Sequence, residues 1–136
     1  MVDANLNVDD ACVNAFNRLK LTKDIRFVIF KVEGESQVIV ERVGDLASTY
    51  QDFVSSLPHN EPRFVVYDYE FRKDDGITSN KIVFIHWSPD NSIVKNKMIY
   101  ASTKENLKRR FSGIHREVQA CSVSEVEESE IVQALR

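Results

Sequence analysis

The stretch KIVFIHW, residues 81–87, most constrains the fold because it is apolar at almost every position. A strand with one face in water alternates apolar and polar residues, whereas a strand covered on both faces is apolar nearly throughout. We therefore expect a central strand here, with helices packed on both faces of its sheet.

Patterns in the rest of the chain predict the elements around this strand. Helical spacing of apolar residues marks helices, and β-branched or aromatic runs bounded by Gly, Pro or polar residues mark strands. The predicted helices cover about residues 9–20, 49–57, 93–112 and 124–136, with caps at Asp9, at 88–92 and at Ser124, and the other predicted strands cover 26–32, 37–43, 63–71 and 116–120. This order predicts an α/β (α+β) chain with a central mixed sheet between helices.

Length and composition describe an ordinary globular chain. Its 136 residues fit a single domain over 1–136. No apolar run approaches the roughly 18 residues of a membrane span, and the first ten residues lack a signal-peptide pattern, so we expect a cytoplasmic protein. Cys12 and Cys121 have no C-x-x-C partner. We interpret them as reduced thiols, with no disulfide, metal or cofactor.

The segment KNKMIYASTKENLKRRF, residues 95–111, places six Lys and Arg residues in a chain of net charge −3. At about 100° per residue, its side chains separate into two arcs. The core arc holds Ile93, Ile99, Tyr100, Thr103, Leu107, Phe111 and Ile114. The outward arc holds Lys95, Lys97, Met98, Lys104, Glu105, Lys108 and Arg109.

Two interpretations of the outward arc compete. A charged arc is usually the solvated back of a helix, but such backs mix charges, and this one places Lys108 four residues after Lys104. Met98 also lies among the cations without a core role. An apolar anchor ringed by cations is typical of a binding surface for an acidic partner. Composition leaves open a protein, a phosphoinositide membrane or a nucleic acid.

Other classes of function fit the residues less well. His59, His86 and His115 are scattered, and none forms a motif with a nucleophile, so we expect no enzyme. We interpret His86 as a strand residue with a satisfied hydrogen bond. The Lys108-Arg109-Arg110 run could contact phosphates, but the net negative charge argues against a nucleic-acid partner.

Two long stretches resemble the actin-depolymerising factor (ADF)/cofilin family. They are RFVVYDYEF at 63–71 and KIVFIHWSPDNSIVKNKMIYASTKENLKRRFSGIHREVQA at 81–120, and the similarity extends over about residues 4–135. The W-S-P-D turn followed by K-x-K-M-x-Y-A-S-T-K is its most specific part. The resemblance implies an ADF-homology fold with a five- or six-stranded mixed sheet sandwiched by helices. It also implies binding to ADP-actin monomers and filaments, filament disassembly and competition by phosphoinositides.

The resemblance further implies particular contact residues. For actin monomers they are Ala4, Asn5, Leu6, Lys95, Lys97, Met98, Lys104, Glu105, Lys108 and Arg109. For filaments they are Lys81, Gln133 and Arg136. By their charge alone, Lys95, Lys97, Lys108, Arg109 and Arg110 could also hold a phosphoinositide headgroup. Residues 1–7 are expected to form a flexible arm, and the protein is expected to be a monomer.

The chain departs from the family pattern at two places. Ala4 stands where many members carry a regulatory serine, and no serine precedes Ser36, so inhibition by phosphorylation there is not expected. Ser79, Asn80, Gln133 and Ala134 are uncharged where filament-severing members carry charges. We therefore predict strong monomer binding with weaker filament binding and severing.

Overall fold

A computed structural model describes residues 6–136. Its six strands form one sheet in the order β1-β3-β2-β4-β5-β6, antiparallel in the centre and parallel at the β1–β3 and β5–β6 edges. The strands are β1 Asn7–Val8, β2 Ile25–Glu33, β3 Gln37–Asp45, β4 Arg63–Arg72, β5 Thr78–Trp87 and β6 Arg116–Ala120. The helices are α1 Asp10–Asn17, α2 Tyr50–Ser55, α3 Val94–Lys108 and α4 Glu128–Leu135.

Strand β5 lies between two hydrophobic cores, as the apolar run predicted. Ile82 and Phe84 point into a core built with α1 and α3, whereas Val83, Ile85 and Trp87 point into a core built with α2 and α4. All residues from 82 to 87 are buried. The predicted layer of helices on each face of the sheet is therefore confirmed.

The N-terminal boundary differs from the prediction. Asn7 forms the start of β1 and pairs with Gln37 in parallel, while Leu6 is buried and its carbonyl accepts a hydrogen bond from Asn106 at 3.0 Å. Both residues thus contact the folded domain, although they were predicted to lie in the arm at 1–7, because a two-residue strand leaves no periodic signal in the sequence. The rest of that arm, including Ala4 and Asn5, lies outside the described residues.

The C-terminal helix is also shorter than predicted. A 3₁₀ turn at Val123–Val126 precedes α4, and Glu127 between them has extended backbone. The hydroxyl of Tyr50 donates a hydrogen bond to the Val126 carbonyl, which a continuous helix would need for its own ladder. Ser124 is therefore not the helix cap; its hydroxyl lies 2.9 Å from that of Ser122.

His86 differs most from expectation, because it is buried without the predicted hydrogen bond. Its side chain is on the face of β5 that carries α3, beside the Phe64 ring at a centroid distance of 5.4 Å. Neither ring nitrogen has a hydrogen-bond partner among the described residues. Burial, with a smaller contribution from the charge of Lys104, lowers the pKa of His86 to about 4.

Gly44 is required by close packing rather than by a special backbone angle. It pairs with Phe27 beside a bulge in the β2–β3 ladder, and the Phe27 ring lies directly over it. A Cβ at this position would be 2.1 Å from the ring.

We predict that Gly44→Ala lowers the free energy of unfolding by about 1–3 kcal/mol, because the core must move to admit the methyl group. Urea unfolding followed by circular dichroism measures this change. In the Phe27→Leu/Gly44→Ala double variant, the loss should be smaller than the sum of the two single losses. Additive losses would show that the ring does not set the size limit at residue 44.

We predict that His86→Phe removes a step of acid destabilisation. The folded pKa of His86, about 4, is below its ordinary 6.5, so the unfolded chain binds more protons between these values. The contribution of His86 to the free energy of unfolding is fully present above about pH 6.5. It declines as the pH falls toward 4, by up to about 3 kcal/mol.

The measurement is urea unfolding across this pH window for the wild type, His86→Phe and a control, His59→Gln, which removes an exposed imidazole. His86→Phe should flatten the pH dependence, and the control should retain it. Equal slopes in all three proteins would mean that His86 gains a proton without cost in the folded state.

Candidate binding surface on helix α3

The inner face of α3 is fixed to the sheet as the helical wheel predicted. Ile99, Tyr100, Thr103 and Leu107 are buried, and Phe111, just beyond the helix, stacks on Phe16 at a centroid distance of 4.5 Å. The Tyr100 hydroxyl accepts a 2.9 Å hydrogen bond from the backbone N–H of Val32 on β2. The helix is therefore a rigid support for whatever its outer face presents.

The N-terminal end of α3 exposes three apolar side chains. Ile93 and Val94 are each 68% exposed and Met98 is 54% exposed. The outward position of Met98 matches the prediction, but the placement of Ile93 in the core is wrong. Ile93 is the residue before the helix and has extended backbone, so helical angles do not apply to it. Val94 was missed, although the wheel places it about 60° from Lys97, within the outward arc.

The residues predicted to cap α3 have other roles. Ile93 occupies the cap position and supplies no side-chain acceptor, while the Ser92 N–H donates to the Pro89 carbonyl in a turn. The carbonyl of Asp90 accepts a 2.7 Å hydrogen bond from the ammonium of Lys97. The Lys97 side chain thus points back toward the N-terminus of the helix and binds the turn at 89–92.

Lys95 reaches across to the β2–β3 hairpin. Its ammonium lies 3.1 Å from the Glu35 carboxylate, with side chains 66% and 56% exposed. Glu35 and Gly34 are in the three-residue loop at 34–36 that joins β2 to β3, and both have positive φ, 56° and 59°. A pair this exposed is weak, so Lys95 remains available to a partner.

The two lysines in the C-terminal half of α3 share one carboxylate. Glu117 on β6 accepts a 3.0 Å hydrogen bond from Lys104 and a second one from Lys108. The like-charge repulsion that favoured a binding surface in the sequence is therefore offset within the chain. The hydrogen bond to Glu117 raises the pKa of Lys108. Burial raises the pKa of Glu117, but the two lysines together lower it by more, so this pKa lies below its usual range.

The remaining predicted residues of this helix are at its exposed C-terminal end. Arg109 and Arg110 are exposed, and the Nε of Arg109 donates to the Glu105 carbonyl at 3.4 Å. The Glu105 side chain is 69% exposed and its carboxylate lies 3.6 Å from Lys108. We call the outward residues of this region the α3 surface: Ile93, Val94, Lys95, Lys97, Met98, Lys104, Glu105, Lys108 and Arg109. Leu6, also predicted to contact a monomer, is buried and is not on it.

The three residues predicted to contact filaments lie together around the C-terminus of α4, a region that we call the filament end. Gln133 and Arg136 line one shallow groove with Tyr69. The Lys81 ammonium donates to the Leu135 carbonyl at 3.0 Å and lies 4.9 Å from the centre of the Phe71 ring.

The C-terminus of α4 is capped by side chains from the sheet. Besides Lys81, Arg116 on β6 donates from its Nε to the Ala134 carbonyl at 3.0 Å. Cations near a helix C-terminus satisfy its last carbonyls and complement its dipole, and α4 has no basic residue in its own last turn. This role of Arg116 was not predicted, because its partner is 18 residues away in the chain.

Two further observations concern cofactors and membranes. Within residues 6–136, no three His, Cys, Asp or Glu side chains come together as metal ligands would. No helix in this part of the chain is long and apolar enough to cross a membrane. Cys12 and Cys121 are free thiols, and burial raises the pKa of Cys12 to about 11.

Comparison with known proteins gives consistent matches over nearly the whole chain. The family model described as "Cofilin/tropomyosin-type actin-binding protein" matches residues 5–136. Actin-depolymerizing factor 7 of Arabidopsis thaliana is 45% identical, covering 90% of this chain and 89% of that protein. Actophorin of Acanthamoeba castellanii is 43% identical, covering 94% and 93%.

Solved structures agree with this result. The crystal structure of Plasmodium berghei actin depolymerization factor 2 superposes with a TM-score of 0.88 at 32% identity, covering 99% of each chain. The six-stranded mixed sheet with helices on both faces is thus the fold of these proteins. The matched family model and the relatives together show that this chain belongs to the cofilin/ADF family of actin-binding proteins.

Proposed function

We propose that the protein binds ADP-actin through the α3 surface and promotes the disassembly and turnover of filaments. The observation that carries this proposal is the exposed apolar cluster of Ile93, Val94 and Met98 beside Lys95 and Lys97, on a helix whose other face is buried. Full burial of apolar side chains of this size contributes about 1.5–3 kcal/mol each relative to exposure. The cluster supplies affinity, and the cations select an acidic partner.

Rigidity supports this role. Because Tyr100, Thr103 and Leu107 anchor the helix, its outer side chains need little ordering of the backbone when a partner binds. The names of the relatives, actin-depolymerizing factor and actophorin, agree with action on actin. We further propose that the protein works by binding alone, as a cytoplasmic monomer, without catalysis.

The proposal includes stronger binding to monomers than to filaments. At the filament end, the Lys81 ammonium is already engaged with the Leu135 carbonyl, and Gln133 is uncharged. Only the exposed Arg136 remains as a cation among the three predicted filament contacts. A filament contact with so little available charge loses much of its electrostatic attraction at physiological salt.

A phosphoinositide headgroup is a second candidate ligand for part of the same surface. Arg109 and Arg110 are exposed beside Lys108 at the C-terminal end of the helix, whereas Lys95 and Lys97 are at its N-terminal end. Arginine binds phosphate with two parallel hydrogen bonds, which favours this class of ligand. Such a ligand would cover the α3 surface and compete with actin. A nucleic-acid partner is not proposed, since the chain has a net charge of −3.

We predict that Lys95→Ala/Lys97→Ala and Val94→Ser each weaken monomer binding, the first by loss of charge and the second by loss of apolar burial. Each should reduce the affinity for ADP-actin about tenfold, the effect of about 1.4 kcal/mol. The readout is suppression of nucleotide exchange on labelled actin monomers, with disassembly of pyrene-labelled filaments measured in parallel.

Matched controls alter similar side chains elsewhere. Arg72→Ala/Lys73→Ala removes two exposed cations, and Leu21→Ser shortens a side chain that is 70% exposed. Both controls should suppress exchange as the wild type does. Equal exchange activity for all four variants and the wild type would exclude α3 as the monomer site.

We predict that the affinity for ADP-actin monomers exceeds the affinity for ADP-actin filaments at physiological salt. Co-sedimentation with filaments and titration of monomers, each over a range of KCl, give the two values. Gln133→Lys should strengthen filament binding and leave monomer binding unchanged, since it adds a cation only at the filament end. Filament affinity equal to or above monomer affinity would refute the prediction.

A further inference from the structure

Glu117 holds the two lysines of the C-terminal half of α3 against the neighbouring strand. One carboxylate oxygen accepts from Lys104 at 3.0 Å and the other accepts from Lys108. The side chains are 18%, 26% and 29% exposed for Lys104, Lys108 and Glu117 respectively. Lys95, by contrast, is 66% exposed, so a partner can reach its ammonium group more easily than those of Lys104 and Lys108.

The charges of this group cancel. We call Lys104, Glu105, Lys108 and Glu117 the Glu117 cluster. It contains two ammonium groups and two carboxylates, and each carboxylate has an oxygen within 3.6 Å of a lysine nitrogen. An approaching acidic partner therefore meets little net charge at this position. The sequence suggested a continuous cationic arc. In the structure, the paired lysines Lys104 and Lys108 separate the cations at the N-terminal end of α3 from the arginines at its C-terminal end.

We propose that Glu117 is an intramolecular competitor that occupies Lys104 and Lys108 until an acidic partner displaces it, and thereby limits the affinity of the α3 surface. This inference rests on the proposed function, because it concerns the same surface. It identifies an affinity-determining residue on β6, outside the helix that makes the contact.

The competitor role follows from how little the helix itself needs Glu117. The position of α3 is fixed by buried side chains and by the hydrogen bond between Tyr100 and Val32, so the two ion pairs are not required to orient it. Lys104 and Lys108 can leave the carboxylate by rotation of their own side chains. Partly exposed ion pairs contribute about 0.2–1 kcal/mol each, so a partner can replace them at small cost.

The test compares Glu117→Gln with Glu130→Gln, which makes the same charge change on α4, a helix on the opposite face of the sheet. Binding to ADP-actin monomers is measured over a range of KCl. Glu117→Gln should bind about three- to fivefold more tightly than the wild type at low salt, with a smaller gain as salt rises. Glu130→Gln should match the wild type.

A double-mutant cycle assigns the gain to the lysines. In a Lys104→Gln/Lys108→Gln background, Glu117→Gln should change monomer affinity by less than twofold, since no cation is left to release. A gain that persists there, or unchanged or weaker binding by Glu117→Gln alone, overturns the competitor role. Weaker binding would show that the carboxylate holds the lysines in their binding position.

A readout without actin separates this inference from the proposed function. Nuclear magnetic resonance of the ¹³C-methylated lysines reports the pKa of Lys108, which should fall in Glu117→Gln. If it does not fall, the ion pair is not formed in solution and the inference fails. If the wild type does not bind actin, the proposed function fails and the competitor role fails with it. Normal wild-type binding with no gain in Glu117→Gln overturns the competitor role alone.

Discussion

Burial of β5 on both faces is the constraint on which the rest of the structure depends. Its residues alternate between two cores, so neither face of the sheet can be left in water, and helices must cover both. Helix α3 covers one face with Ile99, Tyr100, Thr103 and Leu107. Once this inner arc is fixed, the period of the helix leaves Lys95 and Met98 on the outside. The exposed surface of α3 is thus a consequence of how the core is filled.

Periodicity made much of this predictable. The two-sided burial of β5, the order of the long elements and the inner arc of α3 all arise from spacings of two or 3.6 residues, which are local in the sequence. Ile93 was misplaced because it precedes the first helical turn, and β1 was missed because two residues have no period. His86 reads as an ordinary strand residue, since no local pattern reveals that the groups around it offer no hydrogen bond.

The charged part of the site was predicted less well, for a different reason. The position of each lysine on α3 follows from the helix, but its partner does not. Glu117 is 13 residues from Lys104 in the sequence, and Glu35 is on a hairpin far from Lys95. Ion pairs between distant segments depend on which strand edges the fold brings together. A count of cations along the helix therefore overstated the positive charge of its C-terminal half.

The same limit applies at the filament end, where Lys81 and Arg116 donate to the last carbonyls of α4. Helix α4 has acids in its first turn and no base in its last, so these cations must come from the sheet. The α3 surface and the filament end thus both use cations internally that the sequence would assign to a partner. The N-terminal end of α3 is different, because Ile93, Val94 and Met98 add apolar surface that no internal group covers among the described residues. Affinity for a partner should therefore concentrate there, with the charges of Lys97, Lys104, Lys108 and Lys81 acting only after their internal acceptors are displaced.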